Sequence, residues 1–318
     1  MKSIWNKAKT APFSRAIVFT VLAIAFASFG YRWHPIVSAQ NPQAVNGKIL
    51  FSRNVTGIPK VFIVDPNSAG SETCLGMCTD ASDSRDGQSP AWSPDGTTIA
   101  FTRLGEIWLM NADGSNQRRI ASGGVTGGNA TFSLDGTKIA FTKICASCGN
   151  QFLKDIWMMN ADGSNPQRVM SSTGIDTEAM FMPDGKSILF TSDRGGSPQV
   201  YRLTLGSNAV ERVTYDGSYN VSPRPFPDGK GFAFVRRDGA RFQIAVQDFA
   251  SRQVQVLTAG PLDESPSVAP NGKLILYANE AGGRGTLAAV SSDGRVKQRL
   301  VSPATDVREP AWGPFPRP

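Results

Sequence analysis

Apolar and polar residues alternate in short runs along most of the chain, and the runs are joined in pairs by a turn of recurring wording. Ser93-Pro94-Asp95-Gly96, Ser133-Leu134-Asp135-Gly136, Met182-Pro183-Asp184-Gly185, Phe226-Pro227-Asp228-Gly229 and Ala269-Pro270-Asn271-Gly272 each precede an alternating run such as Thr98-Ile99-Ala100-Phe101-Thr102. Period-two alternation predicts strands with one buried face, and Asp-Gly or Asn-Gly supplies the positive φ of a tight hairpin. Residues 91–93 and 98–102 are therefore predicted antiparallel neighbours. A second hairpin follows in several repeats: residues 107–110 turn through Asn111-Ala112-Asp113-Gly114-Ser115 into 117–120, and residues 156–159 turn through Asn160-Ala161-Asp162-Gly163-Ser164 into 167–169. Each repeat thus carries four short strands.

The turn glycines at 96, 136, 185, 229 and 272 are 40, 49, 44 and 43 residues apart, and Asn46-Gly47, before Lys48-Ile49-Leu50-Phe51-Ser52, adds one more turn 49 residues upstream. Self-similarity at that period is expected of small sheets that bury their faces only by stacking on neighbours. The predicted fold is all-β, a six-bladed β-propeller of four-stranded antiparallel blades. Pro310-Ala311-Trp312-Gly313-Pro314 copies Pro90-Ala91-Trp92-Ser93-Pro94 without a following hairpin. Its expected place is beside residues 47–52, as the inner strand of the first blade. Pairing the two chain ends would close the ring and leave no long open sheet edge.

The amino terminus follows another pattern. Residues 1–15 carry Lys2, Lys7, Lys9 and Arg15 without an acid, residues 16–29 are apolar except Thr20 and Ser28, and Val37-Ser38-Ala39 places small residues ahead of Gln40. A bilayer crossing needs about 20 apolar residues, so residues 1–39 are read as a cleavable signal peptide, 40–46 as a short arm and 47–318 as the propeller. Export to the periplasm is expected. The segment 1–39 holds five of the 33 basic residues and none of the 26 acids, leaving 28 against 26. Nothing in that balance demands nucleic acid as a partner, and a monomer is expected.

With residues 1–39 removed the chain also loses His34, its one histidine. Ser-His-Asp and Cys-His catalysis and histidine-held zinc are then disfavoured. There is no Gly-x-Ser-x-Gly elbow and no phosphate-cradling loop. The expectation is a protein that is not an enzyme, with no cofactor and no metal. The competing reading is a propeller enzyme of lyase or lactonase type, working through a channel-bound metal. Asp95, Asp135, Asp184 and Asp228 sit before glycine in turns, where aspartate bonds to nearby backbone. Trp92, Trp312, Trp108 and Trp157 are expected to pack between blades. Cys74, Cys78, Cys145 and Cys148 are disulfide candidates, within each pair or between the two loops, and their spacing also permits a four-thiolate zinc site.

More specific wording begins at Thr173-Gly174-Ile175-Asp176-Thr177-Glu178. It continues with Phe190-Thr191-Ser192-Asp193-Arg194-Gly195-Gly196-Ser197-Pro198-Gln199-Val200-Tyr201, with Leu262-Asp263-Glu264-Ser265-Pro266-Ser267, with Val290-Ser291-Ser292-Asp293-Gly294-Arg295 and with Arg308-Glu309-Pro310-Ala311-Trp312. From about residue 171 onward the chain resembles the carboxy-terminal propeller of the TolB family of the Tol-Pal envelope system. The resemblance implies a noncatalytic role in envelope integrity, with the peptidoglycan-associated lipoprotein Pal as partner. The family carries an α/β domain ahead of its propeller, whereas here only residues 40–46 precede the first strand. What carries over is a Pal-type docking surface, and not the contact to inner-membrane Tol proteins.

Every blade enters in the same direction, so the segments just before the inner strands are expected to gather around one mouth of the central channel. Loops on rigid scaffolds are where binding usually resides. The candidate partner-binding residues are Asp176, Thr177, Glu178, Asn220, Asp263, Glu264, Ser265, Arg308 and Glu309, with Thr177 and Glu178 matching the family's Thr-Glu motif. Glu178, Asp263, Glu264 and Glu309 are expected to face solvent.

Overall fold

Asp95 shows why the turns close where the sequence places them. Its Oδ1 accepts from Ser93 Oγ at 2.5 Å and from Thr97 N at 3.0 Å, and Gly96 takes φ +72°. Asp135 repeats this with Ser133 and Thr137, Asp184 accepts from Lys186 N, Asp228 from Lys230 N and Asn271 from Lys273 N. The computed structural model describes residues 47–55, 57–68, 71–76, 87–120, 127–144, 153–281, 284–300 and 306–314. All of them fall in the unit Trp33–Pro318. The segments read as signal peptide and arm lie outside the described residues.

Six four-stranded antiparallel sheets follow one another in chain order. The first blade holds β1 (Ile49–Val55), β2 (Ile58–Val64) and β3 (Thr73–Cys74). The second has β4 (Gln88–Trp92), β5 (Thr98–Arg103), β6 (Glu106–Asn111) and β7 (Arg118–Arg119), and the third β8 (Gly127–Phe132), β9 (Lys138–Ile144), β10 (Lys154–Asn160) and β11 (Gln167–Met170). The fourth has β12 (Asp176–Phe181), β13 (Ser187–Ser192), β14 (Gln199–Thr204) and β15 (Ala209–Arg212). The fifth runs β16 (Asn220–Pro225), β17 (Gly231–Asp238), β18 (Arg241–Asp248), β19 (Val254–Val256), and the sixth β20 (Asp263–Val268), β21 (Leu274–Ala281), β22 (Arg284–Ser291), β23 (Lys297–Arg299). The last strand, β24 (Val307–Trp312), joins the first blade beside β1, with Ile49 opposite Trp312 and Leu50 opposite Ala311.

The core is distributed between the blades. Ile49, Phe51 and Val64 of the first blade pack on Leu276, Leu287 and Ala289 of the sixth, with Trp312 among them. Ile99 and Phe101 pack on Leu50, Val61 and Ile63. Ile107 and Leu109 meet Ile139 and Phe141, Ile156 meets Ile188 and Phe190, Leu189 and Val200 meet Phe232 and Phe234, and Val235 and Ile244 meet Ile275 and Val290. Every pair of neighbouring blades, the sixth and first included, thus shares an apolar interface. Trp92 and Trp108 lie against the cluster of the first and second blades, and Trp157 against that of the second and third, as expected from packing.

One turn differs from expectation. Gly47 has no positive φ, because β1 takes its inner neighbour, β24, from the other end of the chain. A Cβ at Gly47 would collide with the carbonyl oxygens of Pro314 and Gly313, and Trp312 Nε1 donates to the Gly47 carbonyl at 3.1 Å. Glycine is needed there for close approach and not for a turn. Cys74 is disulfide-bonded, while Cys78, Cys145 and Cys148 lie outside the described residues.

Candidate functional site

Each inner strand carries a β-bulge near its start, and at each bulge one residue that is not glycine takes a left-handed backbone. These are Ser89 (φ 48°), Asn129 (57°), Glu178 (57°), Ser222 (55°), Ser265 (54°) and Glu309 (51°). The strand register shifts across each of them, between Thr177 and Met180 in β12 and between Glu264 and Ser267 in β20, for example. An extra residue on one strand bends it and re-aims its side chains. Here the bend places one bulge residue from every blade around a common channel cavity of about 340 Å³. Two residues further along, Ala91, Thr131, Met180, Arg224, Ser267 and Ala311 line the same cavity as a second layer.

The candidate residues lie within the inner strands rather than in loops ahead of them. β12 begins at Asp176, with Asp176 opposite Ser192 and Thr177 opposite Thr191. The expectation of solvent-facing acids is therefore corrected. Asp176 is 0 % and Asp263 1 % exposed, and Asn220 is 0 % exposed. Asp176 Oδ1 lies 2.9 Å from Arg194 Nη2. Asp263 accepts from Asn279 Nδ2 at 2.5 Å and from Gly260 N at 3.0 Å, and Asn220 Nδ2 donates to Gln199 Oε1 at 2.8 Å and to the Asp216 carbonyl at 2.9 Å. A buried polar group needs such partners because desolvating it unpaired is unfavourable.

Glu178 and Glu309 are half-buried and act as braces between blades. Glu178 accepts from Thr191 Oγ1 (2.7 Å) in its own blade, and from Ser222 N (2.8 Å) and Ser222 Oγ (2.6 Å) in the next. Glu309 accepts from Ser52 Oγ (2.9 Å), Ser89 N (2.6 Å) and Ser89 Oγ (2.9 Å). The bulge explains the pattern: it turns the serine N–H out of its own ladder toward the preceding blade. Thr177 Oγ1 lies 3.2 Å from Thr142 Oγ1 of the third blade.

Around Arg308, whose side chain is 43 % exposed, three carboxylates converge: its Nη1 is 2.6 Å from Glu280 Oε1 and 3.4 Å from Glu264 Oε1, and its Nε is 3.2 Å from Asp306 Oδ1. Burial lowers the pKa of Arg308, but the attraction of Glu280, Asp306 and Glu264 outweighs it and the net shift is upward. Glu264 is pushed above the ordinary glutamate value, first by burial and then by Glu280, against the pull of Arg308. Thr177, Glu264, Ser265 and Arg308 are half-buried, and of these four Ser265 lines the channel cavity. Among the described residues no group of three or more His, Cys, Asp and Glu side chains is placed to hold a metal ion.

Arg224 was not among the sequence candidates. It occupies the second layer, where its five counterparts are uncharged, and that mismatch between repeats was the available signal. Arg224 is half-buried, and desolvation lowers its pKa against the attraction of Glu178 and Glu309.

The TolB beta propeller domain matches residues 143–316. Over 111 residues the chain is 54 % identical to the Tol-Pal system protein TolB of Nitrosospira multiformis, a stretch that is 35 % of this chain and 25 % of that protein. It is 67 % identical over 81 residues to the Tol-Pal system protein TolB of Azoarcus sp., covering 26 % of this chain and 19 % of the relative. The alignments thus span a quarter or less of these curated relatives. The crystal structure of TolB from Acinetobacter baumannii superposes with a TM-score of 0.75 at 36 % identity, over 84 % of this chain and 67 % of that one. By its blades, its turns and this match, the chain belongs to the TolB β-propeller domain family.

Proposed function

We propose that this propeller is a noncatalytic protein-docking module of Tol-Pal type, which binds a Pal-type lipoprotein on its channel mouth in the periplasm and thereby supports envelope integrity. Residues 1–39 serve as signal peptide, 40–46 as an arm and 47–318 as the ring. The observation that carries the reading is the convergence of six bulged inner strands on one polar cavity, in a chain whose relatives are named for the Tol-Pal system. Backbone outliers kept at every blade are the kind of feature a binding site retains. In this reading Thr177, Glu264, Ser265 and Arg308 meet the partner, while Asp176, Asn220, Asp263, Glu178 and Glu309 hold the mouth in shape.

The test is a pull-down from envelope extract with residues 40–318 as bait, followed by identification of what is bound. A Pal-type lipoprotein is expected, and its absence from the bound fraction overturns the reading. Ser265→Asn keeps a residue that tolerates the left-handed backbone and adds bulk at the mouth. It should leave Tm unchanged and weaken capture about tenfold, a loss of roughly 1.4 kcal/mol.

A further inference from the structure

The hydrogen-bond inventory of the channel is one-sided. Glu178 and Glu309 already accept three hydrogen bonds each, from Thr191 and Ser222 and from Ser52 and Ser89. The Arg224 guanidinium, with five N–H donors in a planar fork, makes a single hydrogen bond among the described residues, from Nη1 to the carbonyl of its own neighbour Pro223 at 2.9 Å. It forms no ion pair among them, although Glu178 and Glu309 attract it from a distance. The Arg224 fork thus keeps donors that neither ring glutamate meets.

We propose that the channel is a pocket for one side-chain carboxylate of a partner protein, an Asp or Glu inserted through the mouth and gripped by the fork of Arg224. This rests on the docking reading above and names the chemistry of the group that enters. Three features favour it. Arg224 is the one charged member of its layer, against Ala91, Thr131, Met180, Ser267 and Ala311. Arginine stays charged even when partly desolvated, and a fork without an ion-pair partner is matched by a planar bidentate acceptor. The two ring glutamates, fixed by their serine donors, keep the guanidinium charged at a distance without filling its hydrogen-bonding edge.

The pocket can be read directly in the intact mature protein by following the Arg224 Nε–Hε resonance, assigned by its loss in Arg224→Gln, during titration with acetate. A saturable shift with acetate and none with acetamide is expected. Arg224→Lys should weaken the acetate response about tenfold, because a point charge replaces the fork. No saturable shift of the wild-type resonance, or an equal response to acetamide, overturns the proposal. Acetate binding with no Pal-type lipoprotein captured would sink the docking reading alone. Capture of that lipoprotein by a protein whose Arg224 ignores acetate would sink this inference alone.

Discussion

At the turn end of the inner strands, Asp135 takes its hydrogen bonds from Ser133 and Thr137, two residues to either side. At the channel end, Glu178 takes two of its three from Ser222, 44 residues away, and Glu309 takes two of its three from Ser89, 220 residues away. The same functional group serves a local purpose at one end and closes blade on blade at the other. Turn aspartates and Glu264 also titrate in opposite directions. Side-chain and backbone donors hold Asp113, Asp135, Asp162 and Asp293 below the ordinary aspartate value, whereas burial and Glu280 push Glu264 at the channel end upward. Turn carboxylates are wanted charged; this mouth carboxylate is more easily protonated.

The contrast can be broken most severely at the chain ends. Deleting residues 308–318 removes most of β24, with Trp312, whose Nε1 and N bond to Gly47 and Ser267. Truncating one buried large aromatic alone costs about 3–5 kcal/mol, so the deletion should abolish a single cooperative thermal transition. An unchanged midpoint would show that the ends do not hold the ring.

Next in size are the braces. Glu178→Ala takes the acceptor from the Thr191 and Ser222 hydroxyls and leaves the Ser222 N–H only Thr191 Oγ1 at 3.1 Å, and losing a partner for buried donors costs about 1–3 kcal/mol. The double variant Thr177→Ala, Glu178→Ala should therefore melt several degrees lower, where a purely exposed pair would leave Tm unmoved. Differential scanning calorimetry decides between them.

A smaller effect separates the ends by pH. Because the folded pKa of Glu264 is raised, the folded state binds its proton more readily than the unfolded one, and stability falls as pH rises from the ordinary glutamate value through the folded one. Glu264→Gln should flatten that slope and raise Tm at neutral pH. An unaltered pH profile of unfolding would remove Glu264 from the account.

The smallest change is expected at the turns. Asp135 has a lowered folded pKa, so its contribution is present above the ordinary aspartate value and is lost as pH falls through the folded value. Asp135→Asn should lower Tm slightly at neutral pH and not at all once the wild-type carboxylate is protonated. A drop as large as that of Glu178→Ala would erase the distinction between the two ends.

What could be read without the fold follows the same division. The Asp-Gly turns, the alternation that makes strands and the copy of the second blade's wording at Trp312 involve residues a few positions apart or a simple repeat. Blade number, strand pairing and the place of β24 were therefore legible. The site was legible only in outline. Asp176, Asn220 and Asp263 share one position, the first residue of an inner strand, but their burial depends on Arg194, Gln199 and Asn279, 18, 21 and 16 residues away, brought there by strand pairing. Gly47 looked like a turn because its partner lies at the other terminus. Left-handed backbone at Glu178 and Glu309 runs against the intrinsic preference of glutamate and is imposed by the bulge and by serines of the next blade. The sequence alone determined the ring, because turns and strands are local and repeated; which acids are braces, and that Arg224 stands with an open hydrogen-bonding edge in the channel, was decided only when six blades met around one axis.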